Sequence, residues 1–538
     1  MSSTYDMRDL GGGTIGGLMA ARAAANPDHP ALLFQDQRFT YRDLDQQATA
    51  VAAGLLAAGL QPGDAVAVFL GNRPESVTTL IGLARAGLVN VPVNTAYKGG
   101  FLHHALQHSG AKAVITETAL AGALWALQDW PPAAGTVVFV DGVPDKVPVA
   151  RLHLLSWAEL TEHGRGPAIL PEVVPASACS IAYTSGTTGQ SKGVVSPHLA
   201  GVTMAREAAT AFDLTTNDRV YTCLPMFHGA AAVTAGLAAF YAGATFVLSP
   251  RFSASGFWEE IRTSGATQFN ALGPLLPILL AQPPTAADRD HAVTRAFAAP
   301  APPEILHRFE ERFGVHIIEG YGQTEIKNVL YNPRHGRKVG SLGLPTASST
   351  VAIHDEHGNE VPPGTVGEIV YRPRRAHIML TTYLHDPAAT LDGMTGLWWH
   401  TGDLGYQDED GFFYFVDRKK DALRRRGENI SSQDLEAALL TFPGICDAAA
   451  IAVRSDVGED EILVVLDVTD PAAFDFHALY RHCDSVLPRF MVPRYYRIAQ
   501  GLPRTPTGKI RKVDLRTEGL TEDTFDAHAA GLTPTRQI

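Results

Sequence analysis

The chain has 538 residues, with 44 basic and 56 acidic side chains and a formal charge of −12; 45% of the residues are hydrophobic and 19% charged. These values exclude a disordered or fibrous chain and argue against a nucleic-acid coat, which needs a basic surface, while leaving room for a local basic pocket for a small phosphorylated ligand. At about 100–200 residues per domain, the length calls for several structural units.

In chain order, the N-terminus carries Asp6 and Arg8 and lacks the apolar stretch of a secretory signal. Residues 44–60 are Ala/Leu-rich and predict a helix stopped by Pro62-Gly63. Residues 65–70 predict a short strand, 75–86 a helix ended by Gly87, and 89–93, 113–116 and 136–140 further strands. Strands separated by helices at this spacing predict parallel sheets with helices on their faces, and such strands should be apolar throughout. Residues 220–250 contain no Asp, Glu, Lys or Arg and are long enough to span a bilayer. The stretch holds Pro225, His228, Gly229, Gly236 and Gly243, however, and is rich in Ala rather than Leu, which predicts a buried helix plus strand and no membrane contact.

Residues 349–414 alternate short strands and turns, among them His357-Gly358-Asn359 and Asp410-Gly411, and predict a smaller, mostly β subdomain. A burst of charge at 417–421, followed by Arg424-Arg425-Arg426, marks the domain joint. Beyond it, Ser432 is a candidate helix cap, residues 448–453 and 462–467 predict strands, and 476–486 predict a helix. This makes a separate α+β domain of about 100 residues. From Arg516 onward the chain is polar and reads as a loose tail. Cys179, Cys223, Cys446 and Cys483 lie far apart without a C-x-x-C pair, which fits a reducing cytoplasm rather than a disulfide scaffold or a zinc site.

The strongest chemical signal is the segment from Tyr183 through Thr184, Ser185, Gly186, Thr187, Thr188, Gly189, Gln190, Ser191 and Lys192 to Gly193. It follows an apolar strand, and its run of hydroxyls and glycines exposes backbone N–H groups to which Lys192 adds a positive charge, a combination suited to a polyphosphate. The spacing is not that of a Walker P-loop. With this segment the chain resembles the adenylate-forming enzymes, which include acyl-CoA synthetases, peptide-synthetase adenylation domains and luciferases. The resemblance covers nearly the whole chain because further motifs recur in family order. Residues 224–229, with His228, look like the acyl-pocket segment, and Gly320-Tyr321-Gly322-Gln323-Thr324-Glu325 like the adenine and magnesium motif. Thr401-Gly402-Asp403 looks like the ribose motif, residues 417–421 like the hinge, and Pro506-Thr507-Gly508-Lys509 like the segment bearing a mobile lysine.

The resemblance implies an α/β fold: a large N-terminal domain of two α/β sheets plus a β subdomain over residues 1–417, a hinge at 418–421, and a small mobile α+β lid at 422–538. It implies ATP and Mg²⁺ as ligands and coenzyme A as co-substrate. Thr184–Gly189, Lys192, Gly320, Tyr321, Gly322, Gln323 and Thr324 would line the ATP site, with Ala299 along the adenine. Asp403 can accept both ribose hydroxyls, although a Gly-Asp turn alone is as often structural. Arg418 offers a planar fork to phosphate or ribose. Phe415 is either an adenine contact or a core aromatic. Glu325 and Thr184 are hard-oxygen candidates for Mg²⁺. Lys509, Thr324 and Lys192 would serve catalysis; without the resemblance, Lys509 would read as a solvated lysine near Arg511 and Lys512. Lys420 occupies the hinge position and Gly427 the thiol loop, whose 424–431 stretch is nearest to crotonobetaine/carnitine-type CoA ligases.

In the acyl pocket the chain departs from a fatty-acid ligase. Lys327 and Asn328 follow Ile326, and Asn270 lies in a polar 268–273 segment, which together favour a small polar or aromatic acid. Lys327 is expected to meet either an internal carboxylate or an anionic substrate group. Two other readings stand beside CoA ligation. One is a CoA-independent enzyme such as an ATP-dependent diazotase that activates nitrite for an aminoaryl acid. The other is a non-catalytic nucleotide sensor, against which Lys509 and Asp403 both speak.

Overall fold

The computed structural model describes residues 10–146, 149, 151–164, 169–184, 191–272, 275–299, 301–419, 423–425, 428–430, 432–454, 460–487, 491–505 and 508–533. Apolar runs without alternation become strands buried on both faces: Ala113–Thr116, Thr136–Phe139 and Thr245–Leu248 are buried at every position. They belong to two large sheets. In the eight-stranded sheet the parallel strands are extended along one edge by Gly193–Pro197 and Thr382–Tyr383, each antiparallel to the strand before it. In the nine-stranded sheet the parallel strands Thr245–Leu248, Arg219–Thr222, Gln268–Leu272, Arg295–Ala299 and His316–Gln323 lie side by side in that order. A third, antiparallel sheet of five strands includes Ser349–His354, Gly367–Pro373, Trp398–Gln407 and Phe413–Arg418.

Helix boundaries follow capping chemistry rather than the apolar pattern. The first long helix runs Tyr41–Ala57, beginning upstream of the Ala/Leu-rich stretch, because Thr40 and Asp43 form a reciprocal capping box. The next, Pro74–Arg85, starts on its proline. The charge-free 220–250 stretch holds the strand Arg219–Thr222, a helical segment with a π-helical turn at Ala232–Leu237, and the strand Thr245–Leu248. Among the described residues no helix is long and apolar enough to cross a membrane.

The C-terminal part has its own four-stranded sheet, in which Ile445–Arg454 pairs with Asp460–Val468, that strand with Tyr495–Ile498, and the last with Phe525–Asp526. Two expectations fail here. As far as the described residues run, to 533, the region beyond Arg516 is not a loose tail. It continues the helix Lys512–Glu518 and then adds a strand, with Phe525 stacked on Phe476 at 4.9 Å and Arg494 paired to Asp526 at 2.8 Å. Ser432 is the first residue of its helix rather than the cap; its N–H donates to Asp417 Oδ2 at 2.6 Å and its hydroxyl accepts from Lys512 at 2.5 Å.

Candidate active site

The parallel strands of the nine-stranded sheet deliver their C-terminal ends to one edge. Strand order reverses between Arg219–Thr222 and Gln268–Leu272, because the next strand in sequence after the first, Thr245–Leu248, lies on its other side. Such a switch point opens a crevice at the carboxyl ends of the strands. His228 follows one of the two flanking strands and Asn270 lies on the other. Ala299 and Gln323 end the next strands along.

Residues 320–331 fold as a β-hairpin whose tip is Thr324-Glu325-Ile326, since Gln323 pairs with Lys327 and Gly322 with Asn328. A Cβ on Gly322 would stand 2.0 Å from the Lys327 carbonyl oxygen, so only glycine allows this close turn. The hairpin meets the five-stranded sheet through Asp403, whose side chain is buried. Asp403 Oδ2 accepts from the Tyr321 hydroxyl at 2.6 Å and from Gln323 Nε2 at 2.8 Å, and Gln323 also donates to the Thr401 carbonyl at 2.8 Å. Asp403 Oδ1 is buried and receives no hydrogen bond; Arg418 Nε lies 3.2 Å away as an ion-pair partner. The register that sets Asp403 opposite Arg418 in adjacent strands creates this pair, and Phe415, half-buried on the same strand, faces Gly405. Burial, and then the Asp403 charge, holds the Tyr321 phenol far above its ordinary value, so it is a permanent donor.

Lys509 reaches this cluster from the C-terminal sheet. Its main chain closes a turn, with Thr505 N–H donating to the Lys509 carbonyl at 2.7 Å and Gly508 at φ 84°. The ammonium is held below the ordinary lysine value by loss of water and then by the Arg418 charge, with Asp403 acting in the opposite sense. All three charges therefore share one cleft.

The neck of the hydroxyl-rich loop is closed by Thr184 N–H donating to the Lys192 carbonyl at 3.1 Å. The interior of the loop, residues 185–190 with Ser185, Gly186, Thr187, Thr188 and Gly189, lies outside the described residues. The Lys192 ammonium stands over the Tyr383 ring, 4.7 Å from its centroid, and the Tyr383 hydroxyl donates to Glu325 Oε1 at 2.7 Å. Tyr383 is a site residue that sequence reasoning missed. Lys420 and Gly427 lie outside the described residues.

At the crevice, burial lowers the His228 imidazole below its usual range, which favours the neutral ring near pH 7. Asn270 is committed to the protein at both ends of its amide: it donates to the Ala230 carbonyl at 3.1 Å and accepts from Gln268 at 2.7 Å. Lys327 adopts a left-handed φ of 66°, and its ammonium donates to Ser196 Oγ at 2.8 Å and the Thr324 carbonyl at 2.7 Å. These partners are neutral oxygens of the chain, and burial lowers the ammonium pKa. Lys327→Met is accordingly expected to slow adenylation about 5–30-fold, the equivalent of one or two lost hydrogen bonds at the hairpin tip. KM should shift by the same factor for an acid with a second negative charge and for its uncharged analogue. A selective rise for the charged acid would show that the ammonium reaches the substrate.

The model of the AMP-binding enzyme family matches residues 19–383, and that of the AMP-binding enzyme C-terminal domain matches residues 434–509. The chain is 33% identical over 514 residues to the sulfoacetate–CoA ligase of Cupriavidus necator, covering 93% of this chain and 97% of that one. It is 31% identical over 507 residues to the crotonobetaine/carnitine–CoA ligase of Salmonella arizonae, covering 91% and 96%. Among solved structures, the O-succinylbenzoate coenzyme A synthetase of Bacillus subtilis, in complex with ATP and magnesium ion, superposes with a TM-score of 0.78 at 25% identity, covering 93% of this chain and 98% of that one. An anthranilate CoA ligase in complex with anthranoyl-AMP shares the fold with a TM-score of 0.82 at 23% identity, covering 96% and 98%.

Proposed function

Because the chain belongs to the AMP-binding enzyme family and is an AMP-forming ligase of the acyl-CoA synthetase type, we propose that it adenylates a small polar or aromatic carboxylic acid and passes it to coenzyme A. The observation that carries the reading is the Asp403 carboxylate. One oxygen is fixed by Tyr321 and Gln323, and the other is buried without a hydrogen bond beside Arg418, with Lys509 in the same cleft. A buried carboxylate oxygen without a donor is costly, and a ribose hydroxyl would supply one.

On this reading ATP lies with its adenine along Ala299, Gly320, Tyr321 and Gly322, near Phe415, its ribose on Asp403 and Arg418, and its phosphates in the 184–192 loop. The acid's carboxylate oxygen attacks the α-phosphorus, forming a mixed anhydride as the bond to the β-phosphate oxygen breaks and pyrophosphate leaves. Thr324 donates to the α-phosphate, Lys509 neutralises the charge developing there, and Lys192 neutralises the departing pyrophosphate. Magnesium, when bound, offsets further phosphate charge, and the carboxylate of Glu325 and the hydroxyl of Thr184 are hard oxygens of the type that ion selects. In the second half-reaction the thiol of coenzyme A attacks the acyl carbon and AMP leaves, with Lys420 as the hinge about which Lys509 withdraws and Gly427 in the loop that replaces it.

Two features support a small polar acid. Sulfoacetate and carnitine, which the relatives' names carry, are small and polar. His228, which follows a strand flanking the crevice, is polar too, where a lipid tunnel would be apolar. The test is incubation with ATP and Mg²⁺ against a panel of acids and nitrite, with and without coenzyme A, with products identified by mass. An acyl-CoA from a small polar or aromatic acid is the expected product. Adenylate turnover that ignores coenzyme A, or uses nitrite, would overturn the assignment of the acceptor.

A further inference from the structure

Tyr383 lies on the two-residue strand Thr382–Tyr383, which pairs antiparallel with Gly193–Pro197. Thr381 N–H donates to the Val195 carbonyl at 2.8 Å and Leu384 N–H to the Gly193 carbonyl at 2.7 Å. The segment is thus bonded to the strand that begins immediately after Lys192. Its own N–H donates to Thr390 Oγ1 at 2.8 Å, and its ring packs against Trp399 with centroids 6.0 Å apart. The side chain is only 8% exposed, so its position is set on every side.

From there it touches two groups of opposite charge that no other described contact joins. The hydroxyl donates to Glu325 Oε1 at 2.7 Å, and the face of the ring carries the Lys192 ammonium at 4.7 Å. A carboxylate with one oxygen fixed by a donor has its other oxygen aimed, and magnesium tolerates little departure from octahedral geometry at about 2.0–2.1 Å. An ammonium over an aromatic face is attracted to it while its N–H groups stay free for phosphate oxygens.

We infer that Tyr383 is a positioning residue for adenylation, its hydroxyl aiming the Glu325 carboxylate at the metal of MgATP and its ring holding the Lys192 ammonium toward the pyrophosphate. This rests on the roles proposed above for Glu325 and Lys192. It adds that the two roles are coupled through one side chain from a different sheet element.

The test uses the full chain with ATP and Mn²⁺ as the probe. Electron paramagnetic resonance reads the Mn²⁺ concentration that half-saturates the enzyme–ATP complex, and titration calorimetry in EDTA reads ATP affinity without metal. Tyr383→Phe keeps the ring and removes the donor, and Tyr383→Leu removes both. For Tyr383→Phe the Mn²⁺ half-saturation should rise about 10–100-fold, the usual cost of losing an outer-shell partner, with metal-free ATP affinity and Tm unchanged. Tyr383→Leu should in addition weaken metal-free ATP binding about threefold to tenfold through Lys192. Glu325→Gln separates the two levels of the argument. If it lowers Mn²⁺ affinity while Tyr383→Phe matches wild type, the Tyr383 proposal falls and the Glu325 reading survives. If Glu325→Gln leaves Mn²⁺ binding untouched, the Glu325 reading falls and takes the proposal with it. A drop in Tm for both tyrosine variants with unchanged Mn²⁺ and ATP binding would make Tyr383 a structural residue only.

Discussion

Lys509→Ala is expected to lower the rate of adenylate formation by about 10²–10³-fold or more, the usual range for losing one charged group aimed at the transition state. Its ammonium shares a cleft with Arg418 and Asp403, yet the residue belongs to a turn of the C-terminal part of the chain. Tm and ATP affinity should therefore change little, because an interaction made mainly in the transition state contributes to rate rather than to ground-state binding. Pyrophosphate exchange measures the first half-reaction; thiolation of a chemically supplied adenylate measures the second and should survive. The pH profile offers an independent check. The folded-state pKa of Lys509 lies below the ordinary value of 10.5, so the charged form is lost as pH rises through that lowered value. The alkaline loss of adenylation should begin earlier than an unperturbed lysine would give. A variant that still forms adenylate at near wild-type rate would remove Lys509 from the mechanism.

Asp403→Ala is expected to weaken ATP about tenfold to a hundredfold, since a hydrogen bond to a charged group is worth roughly 1.5–3 kcal/mol. The structure makes this a compound loss. Oδ2 holds both Tyr321 and Gln323, and Oδ1 is ion-paired with Arg418, so removal leaves two donors of the cleft without this acceptor and Arg418 without its counter-charge. Asp403→Asn keeps the shape and separates charge from packing. In the alanine variant, discrimination between ATP and its 2′-deoxy analogue should shrink, as measured by competition binding. Unchanged discrimination would put the ribose elsewhere.

Much of this arrangement is legible in the sequence. Apolar runs such as 113–116 and 136–140 carry no alternation because both faces are buried, and that pattern is local. The residues of the 320–325 motif, Asp403, Arg418 and Lys509 carry their own motif signatures, and the fold brings them into one cluster. Tyr383 carries no such signature. It sits in a short edge strand with no periodicity, and its carboxylate partner is 58 positions away. The orientation of Lys327 is hidden for a different reason: at a left-handed φ the alternation of sides that a strand normally provides does not carry across the hairpin tip. Ser432 looks like a cap in the sequence because the acceptor for its N–H, Asp417, is 15 residues upstream. The strand at Phe525–Asp526 has two residues among polar neighbours, and only its stacking on Phe476 makes it recognisable.

That last strand changes how Lys509 is carried. Residues 499–524 leave the sheet after Tyr495–Ile498 and return to pair beside the same strand, Tyr495 against Asp526 and Tyr496 against Phe525. The excursion is cinched at its base by Arg494 with Asp526 and part-way along by Arg497 with Glu518. Near Lys509 itself, Arg504 is bonded to Asp447 of the strand Ile445–Arg454 and donates to the Gly508 carbonyl at 2.6 Å. The entropic cost of closing such a loop grows only slowly with its length, by about 0.6 kcal/mol per doubling, and it is met once, when the chain folds. The described residues around Lys509 are thereby tied to the sheet. If Lys509 acts at the phosphate as proposed, these anchors among the described residues are already made, and less of its surroundings has to be ordered to place the ammonium.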